Sequence, residues 1–176
     1  ISFAQLKQNA IETKELELIN DTEKPVKVEL QTVPAHLTVK IEPETIPAKG
    51  RGRMAVTYDA KLADTYGFAS HRIYLSLDGS KDYKNSIGVS ATIEEDFSQL
   101  TPAQLASAPV ALFNVLDFDF GDMKQGDKKE YTFNLTNAGK SDLQIRNVRS
   151  SCGCTAVAPS KKVVTPGETV PIKVTF

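Results

Sequence analysis

The sequence is poor in the residues that build metal centres and disulfide scaffolds. Its 176 residues include two cysteines, two histidines and no tryptophan. Two cysteines are too few for a disulfide framework in a chain of this length, so they leave the cellular compartment open. The histidines, His36 and His71, lack a motif that would set a nucleophile and an orienting carboxylate beside them. We therefore predict surface or strand-end positions for both, no cofactor and no enzyme active site.

Charge and hydropathy argue against two further classes of protein. The net charge is −1, which does not favour binding to nucleic acid. No apolar run reaches the roughly 20 residues that a membrane-spanning helix needs. The chain starts at Ile1 without a signal segment, so we expect either a removed leader or a piece of a longer protein. A binding or structural role remains.

The two halves of the chain resemble each other when Ile1 is aligned with Phe118. The alignment runs without a gap for about fifty residues and keeps apolar phase and turn residues together. It joins Phe3 to Phe120, Leu18 to Leu135, Asn20 to Asn137, and Gly50 to Gly167. One residue dropped after that point brings Met54, Val56 and Tyr58 onto Ile172, Val174 and Phe176. We interpret the pattern as a tandem duplication.

Apolar residues recur at every second position within each copy. Tyr131, Phe133 and Leu135 alternate with polar residues, which is typical of a strand with one face on a core. Pro166 and Gly167 suit the two central positions of a type II turn, since glycine tolerates positive φ. Short alternating strands with such turns predict an all-β protein made of two tandem immunoglobulin-like β-sandwich domains.

We predict three segments along the chain. Residues 1–97 form the first sandwich, and residues 98–109 form a short helical linker. In that linker, Thr101-Pro102-Ala103-Gln104 is typical of a capping box with proline at the first helical position. Residues 110–176 form the second sandwich, in which Asp117 and Asp119 flank Phe118 on the outer face of a strand.

The second sandwich is predicted to lack its last strands. The first copy continues after Tyr58 through two further alternating segments, whereas the sequence stops at Phe176. Such a sandwich leaves an open edge. Either the chain is a piece of a longer protein, or a partner completes the sandwich with a strand of its own, as in donor-strand complementation.

The second half carries an ordered set of motifs that resembles a known family. The set consists of Phe118-Asp119-Phe120-Gly121, Gly126, Phe133-Asn134-Leu135-Thr136-Asn137, Gly139, Ser151-Cys152-Gly153-Cys154-Thr155 and Pro166-Gly167. It is similar to the bacterial domain of unknown function numbered 1573, an immunoglobulin-like module related to Hydin-type domains. Residues 1–97 resemble a degenerate copy, with Ala35-His36-Leu37 in place of the cysteine motif. The resemblance implies a Bacteroidetes-like, exported protein in the periplasm or at the cell surface, and implies no activity.

Cys152 and Cys154 are the candidate residues for chemistry. Residues at i and i+2 of a strand share a face, so both sulfurs could converge. Their α-carbons would lie roughly 6.5 Å apart, near the upper limit for a disulfide. Two thiolates could also hold Cu(I), although structural zinc needs more ligands. The third alternative is two small buried residues without chemistry, with Gly153 permitting a bulge.

Two functional hypotheses follow. The first is a non-catalytic structural or interaction module of an exported protein, which binds another envelope protein or a glycan through its loops and open strand edges. The second is a thiol redox or Cu(I)-binding module that uses Cys152 and Cys154.

Overall fold

The computed structural model describes residues 1–148, 155–157, 159 and 161–176. Strands make up 48% of the chain and helices 5%, which confirms the predicted all-β sandwich class. The chain divides into two compact units, unit 1 (Ile1–Phe97) and unit 2 (Ser98–Phe176). Within the described residues, none of the helices has the length and apolar character needed to cross a bilayer.

Unit 1 is a sandwich of two sheets with one short helix. Its elements are β1 (Ser2–Lys7), β2 (Ile11–Ile19), β3 (Val26–Leu30), β4 (Leu37–Glu42), β5 (Thr45–Ile46), β6 (Arg51–Asp59), α1 (Ala60–Ala63), β7 (Gly67–Leu77) and β8 (Ser86–Glu94). One sheet has the order β1-β8-β7-β3-β5 and the other the order β2-β6-β4. Both sheets contribute to one core, in which Phe3, Met54, Val56, Tyr58 and Ile73 are fully buried.

β6 lies at the centre of its sheet and buries one face through alternating apolar residues. Met54, Val56 and Tyr58 point into the core, and the residues between them are at least partly exposed. β6 pairs antiparallel with β2 on one side and with β4 on the other. β1 runs parallel to β8, from Ser2 opposite Ser90 to Lys7 opposite Glu94. The first and last strands of unit 1 are therefore neighbours.

Unit 2 contains one helix and six short strands among its described residues. They are α2 (Pro102–Ala106), β9 (Ala111–Phe113), β10 (Glu130–Asn137), β11 (Leu143–Gln144), β12 (Thr155–Val157), β13 (Val163–Val164) and β14 (Thr169–Thr175). The strands form the sheets β12-β14-β10-β9 and β11-β13. Their core holds Leu135, Val164, Val170 and Ile172. The predicted capping box is confirmed at α2, where Thr101 and Gln104 exchange side-chain and backbone hydrogen bonds.

A buried asparagine organises the same turn in each unit. The Asn20 side-chain amide donates to the carbonyls of Lys24 and Ile46 at 2.8 and 3.0 Å, and its oxygen accepts from the Thr22 N–H at 3.0 Å.

In unit 2, Asn137 makes the equivalent contacts. Its amide donates to the carbonyls of Ser141 and Val164 at 2.8 Å, and its oxygen accepts from the Gly139 N–H at 3.0 Å. Because the amide satisfies carbonyls from two different segments, it ties the turn after β2 to β5 in unit 1 and the turn after β10 to β13 in unit 2.

The alignment of the two halves contains a one-residue gap, which the sequence alone places after Gly50. The hydrogen bonds show that this gap lies before Gly50. Gly50 N–H donates to Pro47 C=O, and Glu168 N–H donates to Thr165 C=O, so Gly50 corresponds to Glu168. The residue that corresponds to Gly167 is therefore Lys49, and both have positive φ, 79° and 53°. The predicted match of Gly50 with Gly167 is wrong, because a lysine occupies the left-handed position in unit 1.

The prediction of a strand through Asp117, Phe118 and Asp119 is also wrong. These residues lie outside the strands of unit 2, and the Asp119 carboxylate accepts a hydrogen bond from the Gly121 N–H at 2.7 Å. In unit 1, the corresponding β1 is a strand because it pairs with β8. Unit 2 has no described strand in that place, so its alternating apolar residues have no ladder to join.

Candidate functional site

Cys152 and Cys154 lie outside the described residues, so the thiol and Cu(I) hypotheses stay predictions. The other singled-out pair, Pro166 and Gly167, lies in a turn between β13 and β14. Glu168 N–H donates to Thr165 C=O at 3.0 Å across this turn, and Gly167 has φ 79°. This geometry matches a type II turn, and it positions strands rather than a ligand.

The two histidines meet in unit 1. His36 lies just before β4 and His71 lies within β7, and their ring centroids are 4.3 Å apart in an edge-to-face arrangement. The Tyr58 hydroxyl lies 3.5 Å from His71 Nε2, and His36 Nε2 is buried with no hydrogen-bond partner among the described residues. The prediction of a surface or strand-end position is wrong for His71, which lies inside a strand, and both histidine side chains are half-buried.

Burial sets the protonation of this histidine cluster. It is the main cause that lowers the pKa of His36, where His71 adds to the effect and Asp59 opposes it. Burial likewise lowers the pKa of His71 and raises the pKa of Tyr58. Both imidazoles are consequently mainly neutral at pH 7.

The cluster lacks the partners that acid–base or metal chemistry needs. The Asp59 carboxylate accepts from the N–H groups of Lys61 and Leu62 at 3.0 and 3.1 Å, so it caps α1 and does not orient a histidine. Among the described residues, no three histidine, cysteine, aspartate or glutamate side chains are grouped closely enough to hold a metal ion. We therefore read the cluster as part of the packing between β4, β6 and β7.

A second candidate is an exposed apolar segment of unit 2, residues 110–118. Five large apolar side chains of this segment are exposed to solvent: Val110, Leu112, Val115, Leu116 and Phe118. The exposed fraction is 56% for Leu112 and 86% for Leu116. The segment includes β9, which pairs with β10 and, within the part of unit 2 that the structure describes, with no strand on its other side. Exposed apolar side chains of this kind make the segment a candidate interaction surface.

A third candidate is a groove in unit 1 between β3 and β4, which belong to opposite sheets. It encloses about 400 Å³, and its apolar walls are Val28 and Leu30 from β3 with Val39 and Ile41 from β4. β4 is an edge strand, so the groove opens along an edge of the sandwich.

Sequence reasoning did not identify any of these three places. The histidine contact joins residues that are distant in sequence, and no local pattern indicates it. The apolar segment did leave a signal, since Val110 to Leu116 is mostly apolar without strict alternation. A run that lacks the period of a half-buried strand can indicate apolar residues on both faces.

Residues 112–176 match the model of a family described as a protein of unknown function (DUF1573), which confirms the predicted resemblance over these residues. No curated protein matches the chain.

Solved structures give a fold-level likeness. A protein of unknown function from Porphyromonas gingivalis W83 has 18% sequence identity and a TM-score of 0.72, over 99% of this chain and 79% of that chain. The Pseudomonas aeruginosa CupB2 chaperone has 11% identity and a TM-score of 0.36, over 97% and 84%, which is too low to carry an argument. The first likeness shows a shared fold, and the second half of the chain is similar to the DUF1573 family.

Proposed function

We propose that the chain is a non-catalytic interaction module of an exported bacterial protein, built from two tandem immunoglobulin-like copies. The observation that carries the proposal is the exposed apolar segment 110–118 of unit 2. The recurring Asn20 and Asn137 networks support the tandem copies. Export and a location in the periplasm or at the cell surface rest on the family resemblance alone.

The chemistry of the segment favours a protein partner over a glycan. Its exposed groups are mainly aliphatic, with Leu112 and Leu116 the most exposed. Burying aliphatic side chains at an interface lowers the free energy by about 25 cal/mol for each Å² of apolar area removed from water. Glycan surfaces are rich in hydroxyl groups, which would need polar partners on the protein. Among the described residues, no strand pairs with the edge of β9 opposite β10, and an incoming strand could bond to it.

Site-specific photo-crosslinking tests this proposal. Benzoylphenylalanine replaces Leu112 or Leu116, and a third variant carries it at Leu62, which is 63% exposed in unit 1. After irradiation in the envelope fraction of the source organism, we expect Leu112 and Leu116 to yield an adduct with the same protein, identified by mass spectrometry. The Leu62 variant is the matched control and is expected to lack that adduct.

A substitution supplies the second readout. Leu112→Ser combined with Leu116→Ser should abolish retention of the identified protein, with little effect on folding because both side chains are exposed. Equal adducts at all three positions, or none at Leu112 and Leu116, would contradict the proposal. Retention of a glycan by the unmodified chain and by the double variant alike would also contradict it.

A further inference from the structure

We propose that the outer edge of β2 in unit 1 binds an extended polypeptide strand that resembles β9 of unit 2. The added strand runs antiparallel to β2 and carries an aliphatic residue followed by an aromatic residue, whose ring enters an apolar cavity beside the edge. The site is separate from segment 110–118 and goes beyond the proposed function. Either site can fail its test while the other passes.

β2 and β10 occupy equivalent places in the two units but differ in their neighbours. The Asn20 N–H donates to Gly50 C=O at 2.9 Å. In the same way, the Asn137 N–H donates to Glu168 C=O at 3.0 Å, so β2 is the counterpart of β10. β10 lies between β14 and β9, whereas β2, among the described residues, pairs with β6 alone. β9 is therefore the template for a strand on the open edge of β2.

The bonds between β9 and β10 define the phase of this pairing. Ala138 N–H donates to Val110 C=O at 2.8 Å, and Asn114 N–H donates to Asn134 C=O at 3.1 Å. Bonded and non-bonded pairs alternate along an antiparallel ladder. Every second residue from Asn134 to Ala138 therefore turns its backbone groups toward β9.

The equivalent residues of unit 1 are Glu17, Ile19 and Asp21. Leu18 and Asn20 turn their backbone groups toward β6, so these three residues turn theirs away from it. Within the described residues, no other strand pairs with β2 on that side. An antiparallel strand in the register of β9 would bond all three, as in other cases of strand addition.

An apolar cavity lies beside this edge, and both Leu18 and Ile19 line it. It encloses about 400 Å³ between the end of β2 and the start of β8. Its other walls include Val26 of β3, Leu75 of β7 and Ile87 of β8. A cavity of about 150 Å³ already holds a benzene-sized group. An aromatic side chain of the added strand therefore fits here.

The burial of one leucine in each unit indicates what enters the cavity. In unit 2, Phe113 lies opposite Leu135 and packs on the core, and Leu135 is 5% exposed. In unit 1, its counterpart Leu18 packs on the core but is only half-buried. Residues of a non-hydrogen-bonded pair bring their side chains close together. An aromatic residue opposite Leu18 would therefore cover it as Phe113 covers Leu135.

The outer face of β2 favours an aliphatic residue at the preceding position of the added strand. Ile19 is 56% exposed on this face. In unit 2, Leu112 lies opposite Thr136, which is the counterpart of Ile19. A leucine opposite Ile19 would remove apolar area of both side chains from water.

A side chain at the turn after β2 sets where the added strand begins. A β-carbon on Gly139 would clash with the backbone of residues 108–110, which lead into β9. Thr22 is the counterpart of Gly139, and its hydroxyl donates to the Asn20 side-chain oxygen at 2.7 Å. The added strand therefore begins opposite Asn20, without the segment that precedes β9 in unit 2.

The test uses the 176-residue chain and a defined probe, the peptide acetyl-Ala-Leu-Phe-Asn-Val, which copies residues 111–115. A titration followed by amide NMR shifts measures its affinity and maps its position. We expect saturable shifts at the amides of Glu17, Ile19 and Asp21. The peptide with alanine in place of phenylalanine should bind about tenfold more weakly, because the cavity stays unfilled. Shifts confined to unit 2, no saturable shifts, or equal affinity of the two peptides would overturn the proposal.

Backbone methylation separates strand addition from simple apolar attraction. In the register of β9, the leucine N–H of the peptide points toward β2 and the phenylalanine N–H points away from it. Methylating the leucine nitrogen should therefore abolish binding, whereas methylating the phenylalanine nitrogen should leave it largely unchanged. Equal losses of affinity for the two methylated peptides would overturn the strand pairing.

Two variants of β2 form a matched pair. Ile19 and Ile11 both lie on its outer face and are 56% and 68% exposed, so replacing either should leave folding intact. Ile19→Glu should weaken binding about threefold, because it loses the apolar pair with the peptide leucine. Ile11→Glu lies beyond the end of the bound peptide and should leave the affinity unchanged.

Two outcomes would contradict this part of the proposal. Equal effects of Ile19→Glu and Ile11→Glu would exclude the register. Sedimentation of the chain as a dimer in which the Ile19 amide is protected from exchange would also overturn the proposal, because a second copy would then occupy the edge.

Discussion

Unit 1 and unit 2 carry the same asparagine-centred turn but cover their aromatic residues to different extents. Phe3 of unit 1 is fully buried, in a core that includes Ile73 of β7 and Val89 of β8. Phe120, which aligns with Phe3, is half-buried, and its neighbour Phe118 is 44% exposed. The turn depends on hydrogen bonds within a short region, whereas the burial of these aromatic rings depends on distant strands. The two features can therefore differ independently between the two units.

The largest expected effect is a difference in stability between two phenylalanine variants. Phe3→Ala should lower the free energy of unfolding of unit 1 by about 4 kcal/mol, because it leaves a cavity in a closed core. Phe120→Ala should lower that of unit 2 by only about 1 kcal/mol, because its ring already contacts solvent. Urea denaturation followed by circular dichroism measures both. Equal losses in the free energy of unfolding would show that Phe3 and Phe120 are buried to the same extent.

Removing the asparagine from either turn should have nearly equal effects. We expect Asn20→Ala and Asn137→Ala each to destabilise the unit that carries it by about 3 kcal/mol, since buried carbonyls lose their donor. Asn→Asp at the same positions keeps an acceptor but loses the donor, so it should destabilise similarly. Asn9→Ala, at an exposed position, is the control and should change stability by less than about 0.5 kcal/mol. A large destabilisation in only one of the two units would show that the two asparagines do not have the same structural role.

A smaller effect should distinguish Gly167 from Lys49. Gly167→Ala should destabilise unit 2 by about 1 kcal/mol, because a β-carbon is disfavoured at φ 79°. Lys49→Gly should stabilise unit 1 by about 0.5 kcal/mol, since it relieves a lysine held at φ 53°. Thermal unfolding of the two variants gives the signs. Destabilisation by Lys49→Gly would mean that the Lys49 side chain, which pairs with Glu23 at 2.9 Å, outweighs the backbone strain.

The smallest effect is the response of unit 1 to mild acid. The folded state lowers the pKa of His36 and His71 below the ordinary value of 6.5, chiefly through burial. The stability that unit 1 gains from burying these two histidines in their neutral form is therefore fully present above pH 6.5. It is lost as the pH falls below that value, because the histidines of the unfolded chain take up protons first. The midpoint of urea unfolding of unit 1 should fall between about pH 7 and about pH 5.5, and His71→Gln should reduce that change.

Unit 2 supplies the internal control for this pH response. Both histidines of the chain lie in unit 1. In unit 2, the Lys161 side chain and the Thr165 backbone and hydroxyl lower the pKa of Glu168 from 4.5 to about 2. Stability from this carboxylate is present above pH 4.5 and is lost only as the pH falls toward 2. A midpoint for unit 2 that fell as steeply as that of unit 1 between pH 7 and 5.5 would exclude the histidines as the cause.

The strands that alternate most clearly could be predicted from the sequence. Tyr131, Phe133 and Leu135 lie in β10, since a strand with one buried face needs a period of two. The course of the turns could not be predicted in the same way. The alignment wrongly paired Gly50 with Gly167. The residue type at position 49 is lysine, and it does not reveal that Lys49 is the residue that adopts the positive φ. Such a conformation is fixed by the surrounding hydrogen bonds.

Contacts between distant segments were the other source of error. Phe118 and Phe120 have the alternation of a strand, yet a strand also needs a neighbour to pair with. His36 and His71 come together only because β4 and β7 pack on the same core. Each of the three candidate sites depends on which segments lie beside a strand in the folded protein. The local patterns of a single sequence do not specify these neighbours.

The parallel pairing of β1 and β8 has a mechanical consequence. The Ile1 ammonium group donates to Gly88 C=O at 2.7 Å, and the ladder continues to Lys7 opposite Glu94. A force that pulls residue 1 and residue 94 apart acts along these two strands in opposite directions. It loads the bonds of the ladder together in shear instead of opening them one after another. Unit 1 is thus arranged to resist extension along its own chain.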